Sequence, residues 1–270
     1  GLSTAKVRAA AVVCALAALV ALPWTEEPAG AQGAPPKLLV IAVADQLRAD
    51  YLDAYAHRWR HGFRRLLDEG ARYTRAEYGY LNTATCVGHV TIATGALPRT
   101  HGIVLNRWWD REAQRTYNCM EDEASPHVSY GAAVQSGSSA KRVLVPTLAD
   151  ALRAQRSGAR VVSLALKARS AIALAGQAGD VVTWFDETAR VFVTSAAYAR
   201  QPVPALAAFL AETPPERDLG QVWALRDRPE TYRFPDLAAG EQPKAGWSAA
   251  FPHPLVGVDG ADAQFFVPWQ

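Results

Sequence analysis

Apolar positions along this chain change period several times, and each change marks an element. Leu38-Leu39-Val40-Ile41-Ala42-Val43-Ala44 is a continuous apolar run that stops at Asp45. A short, uninterrupted, β-branched run predicts a parallel strand over Lys37 to Asp45, covered on both faces. Leu47, Tyr51, Leu52, Tyr55, Trp59, Phe63, Leu66 and Leu67 then fall at three- and four-residue spacing. That period predicts an amphipathic helix with Gly70 just past its end. Ala71 to Tyr80 alternates and is aromatic, a strand pattern. Cys86 to Thr94 predicts a helix closed by Gly95 and Pro98. Thr147 and Asp150 form a capping-box pattern, with Asp in place of Glu, and open a helix whose apolar face is Leu148, Ala151 and Leu152. After the Ser157-Gly158 turn, Arg160 to Leu166 predicts a second buried strand. Asp180 to Ser195 predicts a hairpin around Asp186-Glu187, and Val203 to Glu212 a short helix. This order predicts an α/β fold: a central sheet flanked by helices, with ligands at the strands' carboxyl ends.

From Pro214 to Gln270 the chain is rich in Pro, Gly, Trp and Asp and has no sustained period. That is long for a bare loop, so the segment from about residue 200 onward reads as a cap or insertion beside the site. At the other end, Lys6 and Arg8 precede an apolar run from Ala9 to Leu22, broken by Pro23. Ala29-Gly30-Ala31 follows as a small-residue cleavage pattern, so residues 1–31 read as a secretory signal and the mature chain starts near Gln32. The run is short for a membrane span, which leaves an uncleaved anchor as the alternative. A periplasmic or secreted location follows. In that oxidising setting Cys86 and Cys119 form one disulfide, or remain two separate buried thiols.

Half of the 270 residues are hydrophobic, enough for a sizeable core, and the net charge is only +2. That balance makes no case for nucleic acid or a membrane surface as partner. The densest basic run, Arg58, Arg60, Arg64 and Arg65, is flanked by Asp50, Asp53, Asp68 and Glu69 and reads as a solvated helix face.

Four features carry chemistry. Asp45 at a strand's carboxyl end suits a divalent metal, although a helix cap or surface acid fits the same position. Thr85, at the start of a helix, suits an activated nucleophile or an ordinary N-cap. Lys167 and Arg169, just past the second strand, suit a phosphate or plain solvation. Asn106 suits a phosphate contact or a local turn bond. In this order the set reads as a phosphoryl-transfer site, because phosphoryl transfer needs positioning, positive charge and an aligned nucleophile.

Asp45-Gln46-Leu47-Arg48-Ala49-Asp50, Thr85-Cys86-Val87-Gly88-His89 through Thr94-Gly95, and His101-Gly102-Ile103 resemble the alkaline phosphatase superfamily. The branch is the one with a threonine nucleophile, which also holds the nucleotide pyrophosphatase/phosphodiesterases. Asn106-Arg107-Trp108-Trp109-Asp110, Cys119-Met120-Glu121-Asp122-Glu123 and Lys167-Ala168-Arg169 resemble its zinc-dependent periplasmic alkaline phosphatases. The resemblance implies that Asp45 and Thr85 ligate one of two zinc ions and that Thr85 becomes a phosphothreonine. It implies that Asn106, Lys167 and Arg169 hold the phosphoryl oxygens of a small phosphate monoester. Val87 departs from the pattern, since relatives often carry Pro there.

The family's later zinc ligands are an Asp with a His four residues on, an Asp-His pair and a final His. After Arg169 this chain offers neither Asp pattern, and His253, in Pro252-His253-Pro254, reads as a loop residue. His57 and His61, four apart, read as surface residues. The chain thus reads as the N-terminal part of a longer enzyme, inactive alone. A phosphodiesterase on the same scaffold and a non-catalytic phosphate-binding protein are the rival readings.

Overall fold

The computed structural model describes residues 36–214, 217, 219–232, 234–240 and 247–255. The chain divides into two compact units, one ending at Ala44 and one beginning at Asp45. The expected signal segment lies outside the described residues, and no described helix is long and apolar enough to cross a membrane. In the first unit, residues 36–44 form neither strand nor helix, and Leu38, Leu39 and Val40 are exposed. The strand expected over Lys37 to Asp45 is therefore not formed. Its composition calls for neighbours on both edges and cover on both faces. Among the described residues no strand pairs with it.

In the second unit the long helix expected from Leu47 to Leu67 is three pieces. These are α1 (Tyr51–Ala54), a 3-10 turn (Ala56–Arg58) and α2 (Gly62–Glu69). Trp59 is extended, at φ −74° and ψ 113°, and its indole N–H donates to the Leu52 carbonyl at 3.1 Å. Gly62, about 1 kcal/mol worse than Ala inside a helix, is displaced to the start of α2. Ala71 to Tyr80 forms no strand either. Tyr78 and Tyr80 pack on one another, and the Tyr80 hydroxyl donates to the Thr91 hydroxyl at 2.9 Å. The alternating aromatics thus lay a loop on a helix rather than pairing in a sheet.

That helix is α3 (Thr85–Thr94), ended by Gly95 in the left-handed region at φ 65°. A short α4 (Pro98–His101) follows. A hairpin of β1 (Arg107–Asp110) and β2 (Arg115–Asn118) comes next. Its strands are four residues each and lack an alternating apolar pattern, so none announced them.

The main sheet is built from β3 (Glu121–Ser129), β4 (Gly137–Ser138), β5 (Val162–Ala165), β6 (Val181–Asp186) and β7 (Val191–Ser195). Their spatial order is β4-β3-β7-β6-β5. β5 runs parallel to β6, while β6–β7, β3–β7 and β3–β4 are antiparallel. The hairpin expected around Asp186-Glu187 is present, because the Asp186 carboxylate takes the Thr188 and Ala189 amides and tightens the turn. Parallel strands need a crossover, and α6 (Ala168–Ala175) supplies it between β5 and β6. β5 is the sheet's outer strand, and its Val162 and Leu164 are exposed.

The core lies where α3 packs on α6. Cys86, Val87 and Val90 meet Ala171, Ile172 and Ala175, with Trp184 and Val193 from the sheet. Each large side chain buried this way is worth about 1.5–3 kcal/mol. The expected capping box opens α5 (Leu148–Gln155): the Thr147 hydroxyl accepts from the Asp150 amide, and the Asp150 carboxylate accepts from the Thr147 amide. The expected helix near residue 203 is α7 (Pro204–Glu212). Later described residues form a 3-10 turn (Pro229–Thr231) and the ribbon of β8 (Val222–Trp223) with β9 (His253–Pro254). His253 is no loop residue. It is buried in β9, stacked on Trp247 at 4.5 Å and close to Phe251.

Candidate active site

Thr85 is the first residue of α3, after Ala84 at the cap. Its hydroxyl does not cap the helix. It donates to Asp45 Oδ2 at 3.1 Å. Asp45 likewise caps no helix, since the residue before α1 is Asp50. The ordinary capping roles open to both residues are therefore not the ones they take. The pair brings two side-chain oxygens together across forty residues of sequence.

Asn106 ties a second group to this one. Its side-chain carbonyl accepts the Cys86 amide at 2.8 Å, filling one of the free N–H positions at the start of α3. The Asn106 side-chain amide keeps its donors. The Cys86–Cys119 disulfide fixes the same helix start to the segment after β2, and the Cys119 amide donates to the Asn106 carbonyl at 3.0 Å. The loop that carries Asn106 is thus held to α3 by a covalent and a polar link.

Lys167 is the residue before α6, and Arg169 is in its first turn. Asn106, Lys167 and Arg169 line one cleft of about 780 Å³, with Ser138, Trp184 and Asp186 on its other walls. The Nε of Arg169 is buried without a hydrogen-bond partner among the described residues. A buried donor of this kind is costly unless something accepts from it. The start of a helix, a lysine and an arginine together favour a bound oxyanion.

The structure therefore brings the predicted residues together in two sets. Asp45 and Thr85 share a hydrogen bond; Asn106, Lys167 and Arg169 share a cleft; Asn106 joins the sets through Cys86. Among the described residues no group of three His, Cys, Asp or Glu side chains gathers as a metal site. Asp45 and Thr85 fit as two oxygen ligands of a divalent cation, but catalytic zinc ordinarily takes three protein ligands.

Two buried histidines, His89 and His101, pack behind Thr85. His89 Nδ1 lies 2.7 Å from the Thr85 carbonyl, so it carries the proton and fixes the first turn of α3. His101 Nδ1 accepts the Ile103 amide, so its Nε2–H faces the Thr91 hydroxyl. Burial holds the His101 pKa below its ordinary value and keeps the ring neutral. For His89 the available signal was its place four residues after Thr85 on the same helix; His101, on the next helix, gave none.

A family model described as type I phosphodiesterase / nucleotide pyrophosphatase matches residues 38–243. The chain belongs to this family. Among relatives, alkaline phosphatase PhoV of Synechococcus elongatus is 33% identical over 228 residues, 82% of this chain and 41% of PhoV. Alkaline phosphatase PhoK of Sphingomonas sp. is 39% identical over 153 residues, 56% of this chain and 27% of PhoK. The crystal structure of alkaline phosphatase PafA superposes with a TM-score of 0.72 at 29% identity, over 77% of this chain and 41% of PafA. The α/β fold is thus shared with PafA, and this chain spans at most about two fifths of the length of these three proteins.

Proposed function

We propose that the protein hydrolyses phosphate monoesters, with Thr85 as nucleophile and a phosphothreonine as intermediate. The observation that carries this reading is the Thr85 hydroxyl held on the Asp45 carboxylate at the start of α3. Thr85 attacks phosphorus in line, the leaving alcohol departs, and water then cleaves the Thr85–phosphate bond. Lys167 and Arg169 neutralise the phosphoryl oxygens, and the Asn106 amide donates to one of them. A divalent metal on Asp45 and Thr85, zinc by the family resemblance, would lower the pKa of the hydroxyl. The names of PhoV, PhoK and PafA support a phosphatase. A second PafA crystal structure, of a variant changed at one threonine, one asparagine, one lysine and one arginine, supports the same set of residue types. Because this chain spans at most about two fifths of those relatives, the activity is proposed for the whole protein.

The family name favours one rival, a phosphodiesterase. A monoester carries more charge on the transferred group than a diester, so it makes more use of Arg169. Arg169→Ala is expected to lower kcat/KM for p-nitrophenyl phosphate by about 10²–10³-fold, the usual loss for one charge-stabilising group, and to affect bis-p-nitrophenyl phosphate less. Thr85→Ala is expected to abolish turnover and the acid-stable phosphate on the Thr85 peptide seen by mass spectrometry. Near-normal activity of Thr85→Ala would sink the mechanism. A parent that prefers the diester would move the reading to the rival.

A further inference from the structure

The basic run expected to be a solvated helix face splits in the structure. Arg64 and Arg65 pair with Asp68 and Glu69 one turn on, as a solvated face should. Arg58 does not. It pairs with Asp227, donates to the Thr231 carbonyl at 2.6 Å, and lies 5.1 Å from the centre of the Tyr232 ring. This contact closes two distant segments around a cleft of about 1030 Å³. Arg60, Arg226, His57 and His61 line it and have no ion-pair or hydrogen-bonding partner for their side chains among the described residues. Among the described residues its one lining carboxylate, Asp227, is taken by Arg58. Trp59, Phe63 and Tyr232 supply aromatic walls, with Trp59 and Phe63 in contact at 4.9 Å. Among the described residues, none that lines this cleft lines the one that holds Lys167 and Arg169.

We propose that this cleft is a second binding site, for a small anion that combines phosphate groups with a flat ring. Two free guanidinium groups match phosphate oxygens. An aromatic wall holds a planar ring by stacking, and arginine beside it adds a cation–π contribution. Inorganic phosphate would leave Trp59 and Phe63 unused, and a neutral ring would leave Arg60 and Arg226 unused. A ligand with both parts uses the whole lining, and the volume suits one of nucleotide size. The proposal stands on this cleft alone and does not depend on the reaction proposed for Thr85.

The test is adenosine 5′-monophosphate binding by calorimetry, without added metal, in the complete protein carrying Lys167→Ala and Arg169→Ala to silence the other cleft. Adenosine 5′-monophosphate is expected to bind at least about tenfold more tightly than adenosine or inorganic phosphate, as dual recognition requires. Adding Arg60→Ala and Arg226→Ala is expected to raise Kd for the nucleotide at least about tenfold while adenosine is unaffected, as loss of the phosphate forks requires. Phe63→Leu is expected to weaken the nucleotide and leave phosphate unchanged. These side chains are exposed, so circular dichroism should match the parent. Nucleotide binding no tighter than phosphate alone, or indifferent to the Arg60 and Arg226 changes, would overturn the proposal.

Discussion

Asn106 shows how one side chain can serve fold and site together. Its carbonyl oxygen satisfies the Cys86 amide, and its amide group remains free to donate. The two ends can be separated by substitution. Asn106→Asp keeps an acceptor for Cys86 and places a negative charge at a helix start, where it is tolerated or mildly stabilising. The same charge faces the cleft of Lys167 and Arg169 and repels phosphate. Thermal stability within about 1 kcal/mol of the parent and a large loss of monoester hydrolysis are the expected outcomes. Asn106→Ala is expected to lose activity and also about 1–2 kcal/mol of stability in urea unfolding, the cost of an emptied cap. If both variants lose the same stability, the cap role assigned to the Asn106 carbonyl is wrong.

At the scale of elements, the sequence was legible where local chemistry alone decided the outcome. The Thr147–Asp150 box formed because its partners are three residues apart and need nothing else. The β6–β7 hairpin formed because Asp186 accepts the two amides of its own turn. α3 began and ended as expected, since Gly95 supplies the left-handed cap. The misses share one cause, which is dependence on a distant partner. Lys37 to Asp45 has strand composition and no strand beside it among the described residues. Trp59 left its helix to bond Leu52, and the short β1–β2 hairpin has no alternating pattern to advertise it. In the site, residue types and order were legible, whereas the Asp45–Thr85 and Asn106–Cys86 bonds were not. No local pattern carries a contact between residues forty or twenty positions apart.

One junction between elements can be tested directly. Gly176 ends α6 at φ 62°, and a Cβ there would lie 2.2 Å from Thr147 Oγ1 and 2.3 Å from Asp150 Oδ2. Asp150 Oδ1 also accepts the Gln177 and Ala178 amides, so α5 and α6 share one carboxylate. Gly176→Ala is expected to cost about 2–4 kcal/mol, the sum of backbone strain and a broken cap, measured by urea unfolding. A cost within 0.5 kcal/mol or so, typical of unconstrained surface sites, would show that the shared carboxylate relaxes freely.

Over the whole molecule, the sheet is unequal from side to side. Through α3, α6 and the disulfide, the core fastens Thr85, Asn106 and the Lys167–Arg169 pair to one body. At one edge the outer strand β5 shows the solvent Val162 and Leu164, at 61% and 65% exposure, beside an unfilled row of backbone donors and acceptors among the described residues. An edge of that kind recruits strands from other molecules. A preparation of these 270 residues should therefore associate as its concentration rises. Val162→Lys with Leu164→Lys should hold it monomeric in sedimentation velocity; an equally monomeric parent would show the edge to be harmless. The practical consequence lies in handling: β5 lies beside β6 and ends just before Lys167, so self-association along this edge would take place next to the Lys167–Arg169 cleft.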